Sequence, residues 1–86
     1  RNTKLRADQL PYDRSATITG VDWEHLDPST ASRLRDFGVD EGVSIQMMHK
    51  GPVGRDPVAL RIGRMTVALR KKQAMAIQVA LAEAAE

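Results

Sequence analysis

Ser29-Thr-Ala-Ser-Arg-Leu-Arg-Asp-Phe-Gly-Val-Asp-Glu-Gly-Val-Ser-Ile-Gln-Met47 is the stretch whose reading decides the fold. Asp27-Pro28 just before it predicts a helix start, because an Asx side chain accepts bonds from free first-turn amides and proline suits the first helical position. Ala31, Leu34 and Phe37 recur at i, i+3 and i+6, so they form one apolar stripe on a short helix over 28–37. Gly38 stands where the helix needs positive φ to stop. Asp40-Glu41-Gly42 reads as a tight turn, after which Val43, Ile45 and Met47 alternate with Ser44, Gln46 and Met48 in the period of a half-buried strand.

The chain has 86 residues and no cysteine, so it is one small domain whose modest core has no disulfide staple and no thiolate metal cluster. That fits a reducing, cytoplasmic setting. A hydrophobic fraction of 42% with 28% charged residues belongs to a folded globular chain, not a disordered one. There is no apolar run approaching the ~18 residues of a membrane span, and no secretory opening. The net charge is only +2 and there are three aromatics to stack on bases, so nucleic acid is not an expected partner. The first residue is Arg1 and not methionine, so a preceding segment is left open.

Working outward, residues 1–7 are polar and basic around an isolated Leu5 and read as a flexible N-terminal tail. The domain is expected to span 8–82. A turn in 8–14 precedes a first strand containing Ala16, Ile18 and the Val21–Trp23 region, with Gly20 marking a bulge. On the other side of the decisive stretch, residues 50–57 read as a glycine- and proline-rich loop. Val58, Leu60 and Ile62 then share one face of a third strand. Gly63-Arg64 is a two-residue hairpin turn, and Met65, Val67 and Leu69 continue the same inward face on a fourth strand. Residues 70–75 favour one helical turn, and Ile77, Val79 and Leu81 a fifth strand. Residues 80–86 are also compatible with helix. Five short strands, one short helix and one helical turn make a mainly β fold, a small SH3-like barrel that closes or nearly closes on itself.

Arg33-Leu34-Arg35-Asp36-Phe37-Gly38-Val39-Asp40-Glu41-Gly42-Val43-Ser44-Ile45 resembles the segment R-L-x-x-hydrophobic-G-hydrophobic-x-x-G-x-x-I of FeoA-like domains, small accessory proteins of bacterial ferrous iron transport. Gly51-Pro52-Val53-Gly54-Arg55-Asp56-Pro57-Val58 is similar to that family's G-P-x-G-x-D-P loop, and Val67-Ala68-Leu69-Arg70 with Ala74, Ile77 and Val79 is similar to its ending. The resemblance runs from about Asp8 to Val79. Asp13 departs from a frequent glycine and Glu41 from a frequent proline. The resemblance implies a cytoplasmic SH3-like interaction module in iron homeostasis, held at the inner membrane through its partner, the FeoB-type membrane GTPase that carries ferrous iron. The same domain also ends iron-dependent DNA-binding repressors, where it is regulatory.

No enzyme is expected. His25 and His49 are the two imidazole bases, and both read as surface histidines. His25 with Glu24 and Asp22 offers donor types suited to weakly held ferrous iron, although the spacing matches no ligand pattern. No cofactor is otherwise expected. Met47 and Met65 read as core filling, whereas Met48 alternates outward beside His49 and suits an adaptable contact surface. Arg61, Arg64, Arg70, Lys71 and Lys72 predict one basic edge that deters strand addition or meets an acidic surface. The partner-binding set is therefore Met48, His49, Pro52, Val53, Arg55, Arg61 and Arg64, with helix 28–37 nearby. Self-association is left open. Competing readings are the regulatory domain of a repressor, against which the lack of a winged-helix segment argues, and a small basic nucleic-acid-binding barrel.

Overall fold

The computed structural model describes residues 3–81, with Thr3 and Lys4 as backbone only. Among the described residues six antiparallel strands form one sheet in the order β1-β6-β2-β3-β4-β5. They are β1 Thr3–Arg6, β2 Ser15–Val21, β3 Ser44–Val53, β4 Asp56–Ile62, β5 Met65–Leu69 and β6 Ile77–Leu81. Helix α1 is Pro28–Asp36 and α2 is Lys71–Ala74, while 3-10 turns occupy Ala7–Gln9 and Trp23–His25. The mainly β, SH3-like architecture with a short helix and a helical turn is as expected. Among the described residues the sheet is not closed: β1 and β5 are its two edges, with α2 packed beside β4, β5 and the Ala7–Gln9 turn.

The strand beyond the expected five is β1, which lies where a loose tail was read. Thr3 to Arg6 pair with Leu81 to Gln78. Leu5 packs on the core, the Arg6 amide donates to Gln9 Oε1 at 2.9 Å, and the Arg6 guanidinium meets the buried Asp8 at 3.1 Å. One apolar residue is enough for an edge strand that has another strand on one side only.

α1 starts as its sequence dictates. Asp27 caps it, accepting from the Thr30 amide at 3.1 Å, and Pro28 opens the first turn. Ala31 and Leu34 are buried, and Phe37, the third residue of the stripe, is half-buried and packed against the core. Six residues at 3.6 per turn carry Phe37 about 120° round from Ala31, to the margin of the stripe. Val39 takes the buried place instead, after Gly38 reverses the chain at φ +82° and the Val39 amide bonds the Leu34 carbonyl at 3.0 Å.

β2 carries a register shift between Ile18 and Gly20, as the glycine predicted, but ends at Val21, so Trp23 lies in a 3-10 turn and not in the strand. Ile45 and Met47 of β3, Val58, Leu60 and Ile62 of β4, and Val67 and Leu69 of β5 all face the core. Met65 was expected with them yet is 39% exposed. It stands opposite Ile62 on the inward face, but as the first residue of the edge strand β5. Residues 50–57 are largely strand, not loop: β3 runs through Val53, and only Gly54-Arg55 turns, with φ +64° and +61°. Positive φ at both central residues is the hairpin turn that matches strand twist. The Gly63-Arg64 turn is as read, with φ +61° at Gly63. Of the helix-compatible segment 80–86, Ala80 and Leu81 belong to β6 and 82–86 lie outside the described residues.

Leu60 is fully buried, so Leu60→Ala should cost about 2–5 kcal/mol in urea unfolding. Phe37→Ala should cost less than Leu60→Ala, because that ring is already partly exposed.

Candidate interaction site

The β3–β4 hairpin forms an arm, and glycines shape it. Met47 pairs with Leu60 and His49 with Ala59, which leaves Met48 as the extra residue of a bulge. A second irregularity lies between Lys50↔Val58 and Val53↔Asp56. At Gly51 a Cβ would stand 2.4 Å from the Asp56 carbonyl oxygen, so the two strands approach closely only because that residue is glycine. Pro52 beside it lies in the same irregular stretch, between Lys50 and Val53. Tyr12 braces the outside of the arm: the Lys50 amide donates to Tyr12 Oη at 3.1 Å, and Lys50 Nζ sits 5.3 Å from the ring centroid.

The arm holds apolar groups out in water. Val53 is 80% exposed, Tyr12 49% and Met48 45%, with the exposed His49, Pro52 and Arg55 among them. Five of the residues expected to bind a partner therefore belong to one element: Met48, His49, Pro52, Val53 and Arg55. Arg61 stands apart, on the outer face of the sheet in a row with Ser15, Gln46 and Thr66. Arg64 is in the turn at the opposite end of β4. The single basic edge expected from the sequence is thus divided, since β5 separates Arg64 from Arg70, Lys71 and Lys72.

Asp56 joins the arm to α2. It closes the Gly54-Arg55 turn opposite Val53, accepts the Lys71 amide at 2.8 Å and pairs with Arg70 at 3.5 Å. Gln73 of α2 in turn donates to Thr30 Oγ1 at 2.8 Å, and that hydroxyl donates to Asp27 at 2.7 Å. The hydroxyls of Ser29 and Thr30, with the Thr30 amide, hold the Asp27 carboxyl well below the usual carboxylate range.

His25 meets a carboxylate, that of Asp22, through Nδ1. The pair lines a cleft of about 330 Å³ with Arg6, Lys72 and Met75. Glu24 is exposed on the same 3-10 turn, and among the described residues no three His, Cys, Asp or Glu side chains gather in a metal-holding group. His49 lies away from that cleft, on the arm. The sequence reading missed the cleft, the Tyr12 brace, and the stacking of Arg35 on Trp23 at 4.5 Å. Neither pair is close in sequence, so no local signal pointed to the last two. Among the described residues no helix is long and apolar enough to cross a membrane.

Asp27 contributes stability while it is ionised. A carboxyl depressed in the folded state stabilises above its unfolded pKa of about 3.9, and that stability is lost as pH falls through and below it. Asp27→Ala should therefore lower the melting temperature at pH 7, and the gap from wild type should narrow in scans at progressively lower pH.

Comparison with curated proteins found no match. Among solved structures, the zinc complex of Stenotrophomonas maltophilia FeoA, a procaryotic SH3 domain protein, is 33% identical. That alignment covers 87% of this chain and 88% of the other, with a TM-score of 0.73. Chlorobium tepidum FeoA is 23% identical over 95% of this chain and 74% of its own, with a TM-score of 0.79. The T. acidophilum IdeR structure shares the fold at 21% identity and TM-score 0.69, over 93% of this chain but 35% of that one. The sequence model of the FeoA domain matches residues 6–81, and the chain belongs to the FeoA family.

Proposed function

We propose that this FeoA domain is an accessory of ferrous iron transport that binds a FeoB-type membrane GTPase and modulates its uptake of iron. It does so as a protein-interaction module without catalysis of its own, at the cytoplasmic face of the membrane. The observation that carries this reading is the β3–β4 arm, where Val53 and Met48 are held out in water on a paired strand beside Arg55 and His49. Exposed apolar groups on a rigid element lose little entropy when a partner covers them. Family membership supplies the transport setting, and the Stenotrophomonas maltophilia relative is itself put forward as a ferrous iron transport activating factor. Ferrous iron is the partner's cargo in this reading, and what this chain contributes is shape.

A regulatory domain of a metal-dependent repressor is the second reading, favoured by the fold shared with IdeR. The FeoA match over residues 6–81 ranks transport first.

Capture from detergent-solubilised bacterial membranes with this domain as bait tests the proposal. Wild type should recover the GTPase transporter, and Met48→Asp and Val53→Asp should each cut recovery about tenfold while leaving the fold intact, as hot-spot truncations do. Equal recovery by both variants, or no transporter recovered by wild type, would overturn it.

A further inference from the structure

β5 has a free side. It pairs with β4 from Ile62↔Met65 to Val58↔Leu69 across the two-residue Gly63-Arg64 turn, and among the described residues no strand lies beyond it. In an antiparallel pair closed by such a turn, the flanking residues exchange both backbone bonds, and bonded pairs then alternate. Met65, Val67 and Leu69 therefore spend their amides and carbonyls on β4, while Thr66 and Ala68 present theirs outward. One side chain already reads that edge: Arg33 of α1 donates from Nη2 to the Ala68 carbonyl at 3.3 Å. Both Thr66 and Ala68 are exposed.

Cations frame the same edge. Arg33 lies on it, Arg64 precedes β5, and Arg70 and Lys71 follow, all exposed. The acidic groups nearby are Asp56, already engaged with Arg70 and the Lys71 amide, and Asp36 at the end of α1.

We propose that the free edge of β5 is a docking site for an acidic protein segment that adds in extended conformation as a further strand. The amide and carbonyl of Thr66 and the amide of Ala68 supply the backbone bonds, and Arg33 exchanges the Ala68 carbonyl for a carboxylate of the segment. A second copy of this chain is the wrong occupant, because pairing β5 with β5 would bring two cationic frames together. The site is separate from the β3–β4 arm and does not depend on which protein that arm meets.

The test is an NMR titration of the full chain with a capped octapeptide alternating glutamate and threonine. Saturable shifts should centre on the Thr66 and Ala68 amides. Thr66→Pro should weaken binding at least tenfold with the fold retained, since its N–H faces away from the ladder. N-methylation of the peptide's amides removes the same bonds from the ligand side, and decides the matter should that variant not fold. Arg33→Ala should weaken binding about threefold or more; stronger binding would show that Arg33 only guards the edge, and would overturn the proposal. Equal binding of a lysine-for-glutamate peptide, indifference to N-methylation, absence of saturable shifts at Thr66 and Ala68, or self-association through this edge would each overturn it too.

Discussion

Cross-strand rungs of aliphatic side chains hold this chain in shape, and every other feature is attached to them. Leu81, Ala16, Ile45 and Ile62 stand opposite one another across β6, β2, β3 and β4. Met47, Leu60 and Val67 form a second rung, and Leu5, Val79 and Ile18 a third. Opposed residues share a face, so each rung fixes the register of its neighbours, and a slip by one residue would turn all of them to water. With no disulfide available, that penalty is what makes the register unique.

The helix cap, the Gly38 stop and the β4–β5 hairpin were legible because each is decided within a few residues. Asp27 and Thr30 are three apart, Gly38 follows the last helical turn directly, and Ile62 and Met65 flank two turn residues. What was not legible depends on partners distant in sequence. β1 needs β6, which lies more than seventy residues on, and its own residues offer only Leu5 as a sign. Gly51 and Pro52 carry the signals of a loop, yet the irregular ladder of the arm absorbs both: one permits a close approach and the other needs no bond. Met65 shows the limit of alternation, which tells the face a residue shares but not whether anything covers that face.

The interaction site was legible in the same uneven way. Met48 and Val53 could be read as outward-facing, since strand period and loop character both point there. That Arg61 and Arg64 leave the group, while Tyr12 joins it, follows from the register of three strands and could not come from spacing. The pairing of His25 with Asp22 is local, and the nearby carboxylates announced it; the cleft beside it is not, because Arg6 arrives from β1 and Lys72 and Met75 from α2 and the residue that ends it.

Asp56 illustrates how a small domain economises on side chains. Its backbone closes the hairpin turn opposite Val53, while its carboxylate receives the first amide of α2. The position thus serves two elements at once, so a change of Asp56 reaches both the hairpin turn and the start of α2.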